Sequence, residues 1–145
     1  MDVQKRDLSY FRLRLLELLK SSFPEKLHDQ KFINQRSSWA AIAYDGSFSS
    51  GNSVEQCEEI AHYILFEDLH FSKFATVFQV VCNEFHTIMA DEELQPFSLK
   101  MLFVCEPVFK GYVLTDDFAY SLEFDILYTE LTGTITIWIE ENGLQ

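Results

Sequence analysis

Two Glu-x-x-His pairs, Glu59-Ile-Ala-His62 and Glu67-Asp-Leu-His70, carry the sharpest chemical suggestion in this chain. A three-residue step on a helix sets a carboxylate and an imidazole on one face, the arrangement by which helical bundles hold paired iron or manganese ions. Such centres draw one pair from each of two helices and add Glu ligands from two more. Here both pairs fall within 12 residues. On one unbroken helix, His62 and His70 would stand about 80° apart. A turn between the pairs would be needed to bring them together, and Glu84 or Glu130 have no spacing that assigns them as further ligands. The plainer reading makes His62 a half-exposed helix residue and His70 a loop residue packed beside Phe71. No metal or other cofactor is therefore expected, and Glu59, His62, Glu67 and His70 stand as the metal candidates should one exist.

His70-Phe-Ser72-Lys73 offers a second possibility. Free backbone N–H groups at a helix start, the Ser72 hydroxyl and the Lys73 ammonium could together hold a phosphate or carboxylate. The alternative is that Ser72 is simply an N-cap beside a solvated Lys73. Cys82 shares a helix face with His86, four residues on, but its neighbours Val81 and Phe85 point to a buried thiol and not a nucleophile. No P-loop, dinucleotide fingerprint, zinc-protease helix or nucleophile elbow is present, so no catalytic residue is assigned and an enzyme is not the expected reading.

The elements that must position these groups are helical. Among 145 residues there are only five Gly and three Pro, while apolar residues make up 48% and include 14 Phe. That supports one ordinary domain, 1–145, with a substantial aromatic core. Leu8, Phe11, Leu15, Leu18 and Leu19 mark a helix over about 8–22, ended by Ser21-Ser22 and Pro24. Asp29 starts a second helix running to Tyr44, with Phe32, Ile33, Arg36, Trp39, Ala40 and Ala43 at helical spacing, and 45–52 read as a loop. Ser53 and Gln56 form a capping box opening a third, with Val54, Cys57, Ile60, Ala61, Ile64 and Leu65 inward and an end near Asp68. A fourth follows Ser72. The acidic run Asp91-Glu92-Glu93 and Gln95-Pro96 suggest a hinge at 90–96, with Pro96 in the first turn of a fifth helix that Pro107 breaks.

The last segment admits two periods. Ile135, Ile137 and Ile139 alternate with polar residues or Trp138, as in a strand. Phe124, Leu127, Tyr128, Leu131, Ile135, Trp138 and Ile139 fit a helical stripe that is longer, with Ser121 and Gly143 as caps, so the helix is preferred. The expected fold is all-α, a compact bundle of five or six helices; α+β is the alternative if 134–139 form a strand.

Charge is unevenly placed. Residues 1–36 hold eight of the 11 bases against five acids, a formal +3; residues 37–145 hold 18 acids and three bases, a formal −15. Lys5, Arg6, Arg12, Arg14 and Lys20 make a basic patch, whereas Asp116, Asp117, Glu123, Asp125, Glu130, Glu140 and Glu141 follow the last base, Lys110. The bulk of the protein would be repelled by nucleic acid and by anionic lipid, so direct nucleic-acid binding and membrane association are not expected. A basic protein partner is, docked on the acidic helical surface with Tyr120, Phe124, Tyr128 or Trp138 as aromatic anchors. A homo-oligomer pairing basic and acidic zones is a further option. Three cysteines without a C-x-x-C pair, no apolar leader and no membrane-length apolar run place the chain in the cytoplasm.

The stretches Leu8-Ser-Tyr-Phe-Arg-Leu-Arg-Leu15, Leu69-His-Phe-Ser-Lys-Phe74, Phe118-Ala-Tyr-Ser121, Tyr128-Thr-Glu-Leu-Thr-Gly133 and Ile139-Glu-Glu-Asn-Gly143 resemble a family of small Bacteroidetes proteins, domain-of-unknown-function family 1896. The resemblance spans nearly the whole chain and is weakest over 92–113. It implies a compact, mostly helical protein, often encoded among mobile-element and conjugative-transposon genes, and no activity, cofactor or catalytic residue. Sequence and resemblance together suggest a non-enzymatic accessory or adaptor that binds a basic, nucleic-acid-handling protein. The alternatives are a small metal-dependent enzyme using the Glu/His pairs, or an inhibitor whose carboxylates mimic DNA phosphates.

Overall fold

The computed structural model describes residues 7–144, so Lys5 and Arg6 of the basic patch lie outside it. Among the described residues there are seven α-helices and no strand. They divide between two compact units, Met1–His70 and Phe71–Gln145. Each unit has its own buried apolar cluster.

In the first unit, α1 (Leu8–Ser22) is capped by Asp7, whose carboxylate accepts from the Tyr10 N–H at 3.1 Å. Phe11, Leu15 and Leu19 are its buried face. A 3-10 turn at Pro24–Lys26 leads to α2 (Gln30–Ser49), capped by Asp29 as its sequence suggests. α2 runs a turn beyond Tyr44. Gly46 lowers its intrinsic helicity by about 1 kcal/mol, but buried Tyr44 and Ser47 hold that end against the core. Asn52 Nδ2 donates to Ser47 Oγ at 2.8 Å and fixes the turn beyond. Of the residues at helical spacing, Trp39 is half exposed, and the buried line passes through Ile33, Ser37 and Ala40. Ser37 is accepted there because its hydroxyl donates to the Ile33 carbonyl at 2.7 Å.

The capping box of α3 (Val54–Leu65) forms in both directions: Ser53 Oγ accepts from the Gln56 N–H at 3.2 Å, and Gln56 Oε1 from the Ser53 N–H at 3.0 Å. Cys57, Ala61 and Leu65 are buried, while Ile60 is 42% exposed. α3 stops at Leu65, three residues short of the sequence expectation, and Arg36 of α2 explains why. Its guanidinium donates to the Glu67 carbonyl at 2.6 Å, reaches the carbonyls of Ile64 and Leu65 at 3.5 Å, and meets Asp68 at 3.4 Å. Asp68 takes a left-handed φ of 69°. A cation at a helix C-terminus satisfies terminal carbonyls and the helix dipole together. Arg36→Ala should therefore cost about 2 kcal/mol in urea unfolding, and Arg36→Lys should recover only part of it. A loss under about half a kcal/mol would mean that water replaces the guanidinium without penalty.

In the second unit, α4 (Lys73–Glu84) is capped by Ser72, whose hydroxyl accepts from the Ala75 N–H at 2.9 Å. A 3-10 turn, His86–Ile88, leads to α5 (Asp91–Val104). Of residues 90–96, read from sequence as a possible hinge, Ala90 is the N-cap of this helix and 91–96 are its start. Asp91, Glu92 and Glu93 suit its positive end, and Glu93 Oε1 accepts from the Ala90 N–H at 2.8 Å. The division between the two units falls earlier, after His70. Pro107 does end α5, and as the second residue of the four-residue α6 (Glu106–Phe109) it accounts for the seventh helix.

α7 (Leu122–Asn142) settles the ambiguous segment as helix. Leu127, Leu131 and Ile135 are fully buried, and Phe124, Tyr128, Trp138 and Ile139 pack against the same cluster. The hydroxyls of Thr129, Thr132 and Thr136 donate to carbonyls four residues back at 2.8–3.0 Å, which satisfies these polar groups along the helix. Gly143, at φ 75°, closes the helix as expected. Ser121 does not cap it through its side chain: the hydroxyl donates to the Phe118 carbonyl instead.

Candidate functional site: an acidic groove on the second unit

α7 is wetted along one side, and the spacing there is regular. Glu123, Ile126, Glu130, Gly133 and Ile137 follow alternating steps of three and four residues, the repeat of a helix–helix seam. Ile126 and Ile137 are each 55% exposed. At Gly133 an added Cβ would meet nothing within 4 Å, so the backbone itself is open to approach. The opposite wall comes from α6 and the turn after it, Pro107, Val108, Gly111 and Tyr112. Together they enclose a groove of about 670 Å³ with an apolar floor and a carboxylate rim.

Glu123, Glu130 and Glu141 lie on nearly one line of α7, because steps of seven and eleven residues return to almost the same angle. Asp125 and Glu140 point away from that line, and Asp116 and Asp117 lie exposed in the segment before α7. The seven acids singled out from sequence are thus all at the surface, and two of them, Glu123 and Glu130, line the groove. Of the proposed aromatic anchors, Tyr120 is 90% exposed, whereas Phe124, Tyr128 and Trp138 are committed to the core.

Tyr112 ties the two walls: its hydroxyl donates to Glu130 Oε1. Its pKa is pushed up to about 12, first by that hydrogen bond, then by burial and by the negative charges of Glu130 and Glu123. The folded-state value exceeds the unfolded one near 10, so the stabilisation is complete below pH 10 and is lost as pH rises toward 12. Stability of the wild type should therefore fall more steeply than that of Tyr112→Phe between pH 10 and 12; parallel curves would mean that the bond does not persist in solution. Tyr128 is raised too, first by burial, with Asn83 acting the other way and Glu84, which accepts its proton at 2.8 Å, adding to the rise.

The other candidates are placed as follows. Glu59 and Glu67 are exposed, His62 is half-buried between the rings of Phe11 (6.1 Å) and Phe66 (5.6 Å), and His70 is exposed after α3. Among the described residues no three His, Cys, Asp or Glu side chains gather as a metal site. Ser72 acts as a cap, and Lys73 pairs with Glu106 at 2.8 Å and lies over the Phe109 ring. The basic patch is dispersed. Arg12 donates to Asn34 and Gln30 on α2, Arg14 leans on Tyr10, and Lys20 is exposed in the last turn of α1. Cys57 and Cys105 are buried thiols, Cys105 pushed up to about 12 by desolvation, and Cys82 is half-buried.

The exposed seam went unremarked in the sequence because Ile126 and Ile137 sit beside a stronger inward stripe on the same helix. Its signal was the seven-residue return of Glu123 to Glu130 and of Glu130 to Ile137. No described helix is long and apolar enough to cross a membrane.

The fold is shared. The chain is similar to the crystal structure of protein PG0816 from Porphyromonas gingivalis, at 37% identity over all of this chain and 99% of that one, with a TM-score of 0.89. No curated protein matches it. The model of a domain of unknown function, DUF1896, matches residues 3–144, and this chain belongs to that family.

Proposed function

We propose that this protein is a non-enzymatic accessory or adaptor that receives a basic amphipathic helix of a partner protein in the α6–α7 groove. The observation that carries the reading is the exposed Ile126–Gly133–Ile137 seam bordered by Glu123 and Glu130. A helix laid in a groove uses apolar side chains at steps of three and four, and a small residue opposite lets the backbones approach closely. Carboxylates at the rim select Lys and Arg on the incoming helix and speed its encounter. A net charge of −12 extends that preference over the protein as a whole. A nucleic-acid-handling protein of a mobile element is the partner that the family resemblance suggests, and a cytoplasmic setting fits the sparse, unpaired cysteines.

The test is capture of partners from native lysate by the full chain, its Glu123→Lys/Glu130→Lys variant and its Gly133→Leu variant, with salt steps. A basic protein released by salt, retained about tenfold less by the charge-reversed variant and excluded by Gly133→Leu, supports the reading. Equal retention by all three forms places binding elsewhere. Gly133→Ala is the fold control, since alanine favours helix there by about 1 kcal/mol.

A further inference from the structure

The two histidines that first suggested a metal centre share a groove in the structure, but with different company. His62 and His70 line one groove on the first unit, of about 640 Å³, and neither Glu59 nor Glu67 lines it. The third nitrogen-bearing group there is Arg14, from α1. Each imidazole offers one N–H, and the guanidinium offers five with a fixed positive charge, so Arg14 makes the groove favour an oxygen acceptor carrying negative charge. Apolar groups complete the lining: Phe66 stacks on His62 with ring centres 5.6 Å apart and planes at 21°, and Leu18 and Leu69 also line the groove. Tyr63, 68% exposed, lines it as well.

We propose that this groove binds a flat organic anion, an aromatic body carrying a carboxylate, sulfonate or phosphate monoester. The charged end meets Arg14, on the groove that exposed His70 also lines, and the ring lies along the stacked Phe66 and His62 side. Arg14 is well placed for this because it is exposed and held by Tyr10, whose hydroxyl accepts from Nη1 at 3.2 Å beneath the guanidinium. Glu17 also lines the groove, one turn before Ser21. Its carboxylate, three residues on from Arg14 on the same helix, disfavours a second negative charge on the ligand. The site is independent of the α6–α7 groove, whose carboxylate rim would repel the same ligand.

The test uses 8-anilinonaphthalene-1-sulfonate as the anion and N-phenyl-1-naphthylamine as its neutral counterpart, titrated by fluorescence into the full chain. Saturable binding of one anion per chain is expected. Arg14→Gln should weaken the anion about tenfold, the scale of a charge-assisted hydrogen bond, and leave the neutral compound unchanged. Ser21→Trp, which fills the groove from the exposed end of α1, should exclude both. Arg12→Gln removes a cation from the same helix outside the groove and should change nothing. Inorganic phosphate alone should fail to displace the sulfonate, since it lacks the ring. The proposal is overturned if anion and neutral compound bind alike, if Arg14→Gln has no effect while circular dichroism stays native, or if phosphate competes as well as the aromatic anion.

Discussion

Phe11→Ala should destabilise the first unit by about 3–5 kcal/mol, the cost of removing a large buried ring and leaving a cavity. Phe11 is fully buried on α1 and is where three elements of that unit meet. Its ring packs edge-on to Tyr10 at 5.1 Å and His62 at 6.1 Å, and tilted to Tyr44 at 5.9 Å. Loss of the ring therefore removes contacts to α2 and α3 together with its own burial, and pairs of this kind add about 0.5–1.5 kcal/mol beyond area. Trp39 on α2 belongs to the same unit and supplies a fluorescence readout in a urea titration. A cost below about 1 kcal/mol would mean that α1 does not pack through Phe11 in solution.

The matching experiment on the second unit is Leu131→Ala, with an expected cost of about 2–5 kcal/mol. Leu131 is fully buried in the middle of α7, between Leu127 and Ile135. α7 contains Gly133 and a β-branched run, so its intrinsic helicity is weak and burial must hold it. A defect at Leu131 thus weakens the helix as well as the core. Ile137→Ala is the internal control: at 55% exposure it should cost less than about 1 kcal/mol. Trp138, which meets Phe97 edge-on at 6.0 Å, reports on this unit. Similar costs at 131 and 137 would mean that the exposed seam is not exposed in solution, and would remove the basis for the α6–α7 docking groove.

Much of the helical plan is written locally. Asp29, Ser53 with Gln56, and Ser72 cap the helices their sequence positions announce, because a side-chain oxygen three residues before a free N–H needs no distant partner. The inward stripe of α7 is legible for a similar reason: 16 residues at one period outweigh the six that alternate. The DUF1896 family resemblance, carried by short stretches from Leu8 to Gly143, is likewise a property of residue order.

Helix ends set by distant groups are not legible. Arg36 lies about thirty residues before the carbonyls it satisfies at the end of α3, and nothing near Leu65 announces the stop. The end of α2 depends on burial of Tyr44 and Ser47, which overrides Gly46. The same holds for chemistry. Spacing along the chain paired each histidine with a glutamate, but Glu59 on α3 and Glu67 in the turn after it face solvent, while His62 and His70 line one groove with Arg14, some fifty residues earlier. Sequence alone determined the all-helical class, most of the caps and the excess of negative charge, because these follow from local hydrogen bonds, periodicity and counting. Only the tertiary structure decided which apolar residues of α7 stay in water and which charged groups share a groove, since both depend on side chains that meet through packing and not through order along the chain.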